Sequence, residues 1–275
     1  MPKFKSELLQ YTNINTTNSD NSQLHSCISE EVRRISIPIF SKFEEIVLQI
    51  SKREVGSLGK EEFINKDTRI TDYLKQFDVD IQSCVGMNQV HKDHIVIVDS
   101  KNRRQFLLKT DGLITIEPDI FLMVKTADCL PVFFYEPNKK IIGVAHLGWK
   151  GIFLDLGSKM IKKMVKLGAN IEDIYIGVGP FIRNCCYNVS KDRIDKFQEK
   201  YGNDTKIYQQ RKGKYYLDLQ YLLQRQFEKI GCSKQKIEFL SLCTSCNNQD
   251  FFSYRKGDRD NVILGIIGRR TYGRK

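Results

Sequence analysis

The chain has 275 residues, a formal net charge of +11, and hydrophobic and charged fractions of 41% and 28%. This composition suits a globular protein with a sizeable core and excludes a disordered or fibrous one. No apolar run reaches the roughly 20 residues of a bilayer span, and residues 1–7 lack a signal peptide's apolar stretch, so a soluble cytoplasmic protein with no membrane partner is expected.

In chain order, residues 1–35 read as a flexible or loosely docked extension. Asn13 to Ser22 is almost wholly Thr, Asn, Asp, Ser and Ile, with no period that could bury a face. Residues 36–275 read as one domain. Ile70, Tyr73, Leu74 and Phe77 recur at helical spacing. Ile95–Val98, Phe121–Val124, Val132–Tyr135 and Ile141–Ala145 are short apolar runs that predict buried strands. Leu156, Met160, Ile161, Met164, Val165 and Leu167 predict a helix that Gly168 stops, followed by a strand over Ile174–Val178. The strand-helix-strand order predicts a β-α-β crossover. A second helix is predicted over Asp218–Ile230 and a last strand over Val262–Ile267. Strands alternate with helices without a dividing linker, which points to a single α/β domain with a mixed sheet.

The positive charge raises nucleic acid as a partner, but Lys and Arg are interspersed with Asp and Glu. The one dense cluster, Arg269 to Lys275, has no accompanying recognition motif, so no nucleic-acid partner is expected. Eight cysteines without an export signal read as reduced thiols. Cys243-Thr244-Ser245-Cys246 is a lone C-x-x-C: a zinc ribbon would need a second such pair, and a redox site its own βαβ context. It is read as structural or incidental.

Three stretches place metal-capable groups beside predicted strands: Gln89-Val90-His91, Thr126-Ala127-Asp128-Cys129 and His146-Leu147-Gly148-Trp149-Lys150-Gly151. Two imidazoles and a thiol suit zinc or copper, and three protein ligands leave a coordination position open. The carboxylate next to Cys129 should raise its thiol pKa, which argues against a free nucleophile and for a metal ligand. Trp149 could be core packing or an apolar wall for a planar base. Gly177-Val178-Gly179-Pro180 lacks the third glycine of a dinucleotide fingerprint.

These three motifs, in this order, resemble those of the laccase-domain (YfiH-like) family, whose members were first described as multicopper polyphenol oxidases and later as zinc-dependent purine nucleoside phosphorylases. The resemblance runs from about Ser36 to Gly268. It includes Gly179-Pro180-Phe181-Ile182, Cys186-Tyr187-Asn188-Val189, Leu217-Asp218-Leu219, Cys243-Thr244 and Phe251-Phe252-Ser253-Tyr254-Arg255. It implies a mixed-sheet α/β sandwich of the YfiH-like type, with His91, Cys129 and His146 as ligands of a catalytic Zn2+. It also implies an enzyme that takes a purine nucleoside and phosphate, with adenosine deaminase activity beside phosphorolysis. Asp128 and Arg53 are the catalytic candidates, Arg53 from a Ser51–Ser57 segment resembling the family's Thr-Arg-x-Gly-Gly-x-Ser. Trp149 and Arg255 are the substrate-binding candidates. Lys150 stands where the family often has Arg, and Asn188 where it often has Glu. A monomer or homodimer is expected. The alternatives are a copper (Cu2+) polyphenol oxidase, which four histidines cannot supply with the ligands of several coppers, and a non-catalytic factor in cell-wall precursor editing.

Overall fold

The computed structural model describes residues 34–59 and 68–271. The chain divides into units 1–32 and 33–275, and the account below concerns the second. The predicted extension lies outside the described residues apart from Arg34–Ile35, which form a short edge strand.

Fifteen strands occur among the described residues. They are β1 Arg34–Ile35, β2 Ile46–Ser51, β3 Cys84–Met87, β4 Ile95–Ile97, β5 Gln105–Leu107, β6 Gly112–Thr115, β7 Phe121–Thr126 and β8 Leu130–Glu136. After these come β9 Ile141–Leu147, β10 Tyr175–Val178, β11 Asn188–Val189, β12 Tyr208–Arg211, β13 Lys214–Leu217, β14 Ile237–Phe239 and β15 Ile263–Arg269. The helices are α1 Thr68–Lys75, α2 Trp149–Phe153, α3 Leu156–Lys166, α4 Lys191–Tyr201 and α5 Leu219–Lys229.

Two mixed six-stranded sheets, in the orders β1-β2-β15-β7-β3-β5 and β14-β10-β8-β9-β6-β4, face each other. The period of two in β8 shows how one strand serves two cores. Phe133 and Tyr135 point between the sheets with Leu122, Val124 and Ile142. Val132 and Phe134 point the other way, onto Met160, Leu223 and Phe227 of α3 and α5. Against the outer face of the first sheet, Ile70, Tyr73 and Leu74 of α1 pack on Met123, Leu264 and Ile266. The result is a helix-sheet-sheet-helix stack. It explains why the central strands read as continuous apolar runs, since both faces are dry. Each such fully buried side chain contributes about 1.5–3 kcal/mol.

The predicted helices and the crossover are present. Strands β9 and β10 are each antiparallel to β8, hence parallel to one another, and α2 and α3 connect them across it. Asp218 caps α5 by accepting the Tyr221 N–H at 2.9 Å. Three local readings are corrected. Val165, placed on the apolar stripe of α3, is exposed because the stripe narrows toward the helix end, and Ile97 is exposed on edge strand β4. The strand carrying His146 runs two residues past Ala145, which puts the imidazole inside β9 rather than after it.

Candidate metal centre and its cavity

The β8–β9 hairpin is the base of the site. Its register pairs Pro131 with His146, so Cys129, immediately before β8, lies beside the end of β9. The third donor comes from the loop between β3 and β4, where His91 adopts φ 57°. Gln89 clamps that loop onto β7: its amide donates to Lys125 O at 2.7 Å and accepts from Lys125 N–H at 2.9 Å. The donor atoms of His91, Cys129 and His146 all lie within 4.8 Å of one another. Cys129 Sγ is 3.8 Å from His91 Nε2, and the two imidazoles meet edge to face at 4.6 Å.

Asp111, which sequence reading missed, orders both histidines. Its buried carboxylate accepts the backbone N–H groups of Val90 (3.2 Å), His91 (3.0 Å) and Lys92 (2.9 Å), fixing the loop turn. The same carboxylate meets His146 Nδ1 at 2.9 Å. A carboxylate accepts only, so His146 Nδ1 carries a proton toward Asp111, and Nε2 is the ring atom left to face Cys129 and to bind a metal once its own proton is displaced. No spacing signals this role: Asp111 sits in Thr110-Asp111-Gly112, which reads as an ordinary turn.

Burial alone would push the Cys129 thiol up. Attraction to His146, with hydrogen bonds from both histidines, outweighs it and brings the thiol down to about 6. Burial likewise opposes charge on His146, and Cys129 and Asp111 outweigh it, raising that imidazole to about 9. The sequence argument that Asp128 raises the Cys129 thiol is therefore corrected. The Asp128 carboxylate is turned elsewhere, accepting from Thr244 Oγ1 at 2.6 Å and from the Arg255 N–H at 2.8 Å. These two bonds, with the Ile182 N–H on its carbonyl at 2.9 Å, hold Asp128 at φ 85°, and this left-handed residue precedes the thiol.

The donors open on a cavity of about 600 Å³. Trp149, Tyr187, Ile182 and Leu219 supply apolar lining, and Lys125, Arg193, Arg255 and Arg259 supply cations. Trp149 opens α2 with Gly148 as its N-cap, and the Arg193 guanidinium lies 4.1 Å over its ring. A Cβ at Gly148 would stand 2.9 Å from Cys129 Sγ and 3.2 Å from His91 Cδ2, so the turn needs glycine for close approach. Arg255 Nη1 donates to Asn188 O at 3.1 Å and to its side-chain oxygen.

Arg53 is not brought to the donor cluster and is absent from the cavity lining. It forms a two-pronged pair with both oxygens of Asp258, donates to Phe251 O at 3.2 Å and stacks 4.4 Å over Phe252. Asp258 in turn accepts the Ser253 N–H at 3.0 Å, so the pair fastens the turn that carries Tyr254 and Arg255.

The sequence profile of the family described as multi-copper polyphenol oxidoreductase laccase matches residues 61–270. The chain belongs to this family. Within the laccase family and its relatives, purine nucleoside phosphorylase YlmD of Bacillus subtilis (strain 168) is 35% identical over 204 residues, 70% of this chain and 73% of the relative. Adenosine deaminase RL5, from an unknown prokaryotic organism, is 26% identical over 215 residues, 75% of this chain and 79% of the relative. The crystal structure of Bacillus licheniformis YfiH superposes with a TM-score of 0.80 at 27% identity, covering 88% of this chain and 98% of that one. That of YlmD from Geobacillus stearothermophilus gives 0.77 at 25% identity, covering 85% and 94%. The mixed α/β sandwich expected from the sequence is the fold these laccase-family structures share.

Proposed function

We propose that this chain is a zinc-dependent purine nucleoside phosphorylase that also deaminates adenosine. The observation that carries the reading is one wall of a cavity with three soft-to-borderline donors, facing the same space as four cationic side chains and the aromatic rings of Trp149, Tyr187 and Tyr254. The donor set fits zinc: the tautomer of His146 is fixed by Asp111, and the Cys129 thiol ionises readily. The names of relatives such as YlmD and RL5 support the same assignment. A zinc held by His91, Cys129 and His146 would leave a coordination position open, and its chemistry there would be to polarise a purine leaving group or to lower the pKa of a water.

In phosphorolysis the phosphate oxygen bonds to the anomeric carbon as the carbon–nitrogen bond to the purine breaks, through an oxocarbenium-like state. Arg193, Arg255 and Arg259 line the cavity as the phosphate-side cations, in the role guanidinium groups fill best. Trp149 and Tyr187 offer flat apolar faces to the base. We assign Asp128 the task of holding Cys129 and Arg255 in position, since both its oxygens are engaged. Arg53 acts through the Arg255 turn. A polyphenol oxidase using several coppers gains no support: among the described residues the cluster holds only two histidines, and His94 faces Thr110 instead.

The test is turnover of adenosine and inosine, with and without phosphate, by wild type and Cys129→Ala. Phosphate-dependent base release that falls at least a hundredfold in the variant is expected. Equal rates in the two proteins would refute a metal-centred reaction.

A further inference from the structure

Four thiols that the cavity does not use converge elsewhere. Cys185 and Cys186 precede β11, Cys243 and Cys246 follow β14, and their Sγ atoms all lie within 4.8 Å of one another. Cys246 Sγ is 3.4 Å from both Cys185 Sγ and Cys186 Sγ. The second cysteine pair that a zinc ribbon requires is thus present, as a vicinal pair rather than a second C-x-x-C. The two segments are fastened to each other by backbone. Phe181 and Cys243 form a parallel bridge, and the Thr244 N–H donates to Phe181 O at 3.1 Å. The Arg183 N–H donates to Cys243 Sγ at 3.4 Å, the kind of bond that orients a coordinating sulfur.

We propose that Cys185, Cys186, Cys243 and Cys246 bind a second zinc ion, in a closed tetrathiolate site with a structural role. A zinc–sulfur bond of about 2.3 Å sets tetrahedral sulfur–sulfur edges of about 3.8 Å. The observed contacts of 3.4 Å and the 4.8 Å limit bracket that value. A single disulfide would leave two thiols over, and Cys246 stands equally close to two partners. Binding displaces the four thiol protons and leaves the site with a net charge of −2. Arginines hold the same loops and offset that charge. Arg211 Nη2 donates to Cys185 O at 3.0 Å, and Arg255 Nη1 to Cys186 O at 3.5 Å. Arg183 Nη1 donates to Ser241 O at 3.3 Å.

One of the bridged loops is a wall of the cavity, and the other supports it from behind. Ile182 and Tyr187, on either side of the vicinal pair, line it. Thr244, inside the C-x-x-C, donates to Asp128. A zinc here ties the Ile182–Tyr187 wall to the loop that holds Asp128 through Thr244, without facing the substrate.

The test counts metal in full-length protein purified under reducing conditions. The Cys129→Ser background isolates the second site whatever the outcome for the first. One zinc per chain is expected in Cys129→Ser, and none once Cys185→Ser and Cys246→Ser are added. Should the triple variant fail to fold, Cys129→Ser alone is loaded with cobalt and alkylated with and without chelator. A tetrathiolate cobalt spectrum is expected, with all four cysteines protected until the metal is removed. No metal in Cys129→Ser, iron in place of zinc, a disulfide among the four thiols, or a cobalt spectrum lacking sulfur charge transfer would each overturn the proposal.

Discussion

Replacing Asp111 with asparagine changes one oxygen into an NH2 group, and the structure says what that does. The carboxylate serves four donors: Oδ1 takes His91 N–H and His146 Nδ1–H, and Oδ2 takes Val90 N–H and Lys92 N–H. Whichever way the amide is turned, two of these donors lose their acceptor and face N–H hydrogens instead. Bonds to a charged group contribute about 1.5–3 kcal/mol each, so the loss is about 3–6 kcal/mol. That is a large part of the roughly 5–15 kcal/mol that stabilises a typical domain. Loosening a ligand's outer partner also lowers metal affinity by about 10–100-fold. Urea unfolding of Asp111→Asn and zinc competition against a chromogenic chelator measure the two effects. Stability within about 1 kcal/mol of wild type, with zinc affinity unchanged, would show that Asp111 does not organise the site.

Three more outcomes follow from the same geometry. Gly148→Ala keeps an accessible backbone conformation but drives its methyl into Cys129 and His91, so zinc affinity drops about tenfold while the melting temperature moves only a few degrees; unchanged affinity would contradict the contact. If Arg53 works only through Asp258, then Arg53→Ala, Asp258→Ala and the double variant raise the KM for phosphate by the same factor; additive losses in this cycle would mean a direct contact with substrate. The Arg53 guanidinium beside Asp258 holds its carboxyl below the usual carboxylate range, against the opposing pull of burial. A depressed carboxyl stabilises the fold above its unfolded pKa of about 3.9 and loses that contribution as pH falls through the lower folded value. The stability gap between wild type and Asp258→Asn is therefore constant from pH 7 to about 5 and narrows below about pH 4; a gap that widens in acid would reverse the assigned sign.

Strands β7, β8, β9 and β15 were legible because both faces are buried, which leaves a continuous apolar run in the sequence. The amphipathic helices α3 and α5 were legible for a similar reason, since one apolar stripe and a stop residue define each. Helix α4 was not read: only Ile194 and Phe197 are buried, and the rest of Lys191–Tyr201 is polar. That omission hid Arg193, which reaches Trp149 from this helix. The three metal-capable residues were legible because each sits in a motif of its own. Asp111 was not, because its partners lie 19 to 35 residues away and meet it only after the sheets pair. Arg53 was read toward substrate because its segment shares a family pattern. Its guanidinium instead satisfies Asp258, 205 positions on, a pairing that no local pattern encodes.

The pairing of Pro131 with His146 also bears on how the chain reaches its native state. A slip of one residue in an antiparallel hairpin turns every side chain to the opposite face. In β8–β9 such a slip would carry His146 away from Cys129 and from Asp111 together. An ion gripped by those donors lowers the free energy of one hairpin alignment and no other, by an amount set by its concentration and affinity. If the proposed metal binds there, its uptake would favour correctly aligned chains, because misaligned ones would lack the assembled donors.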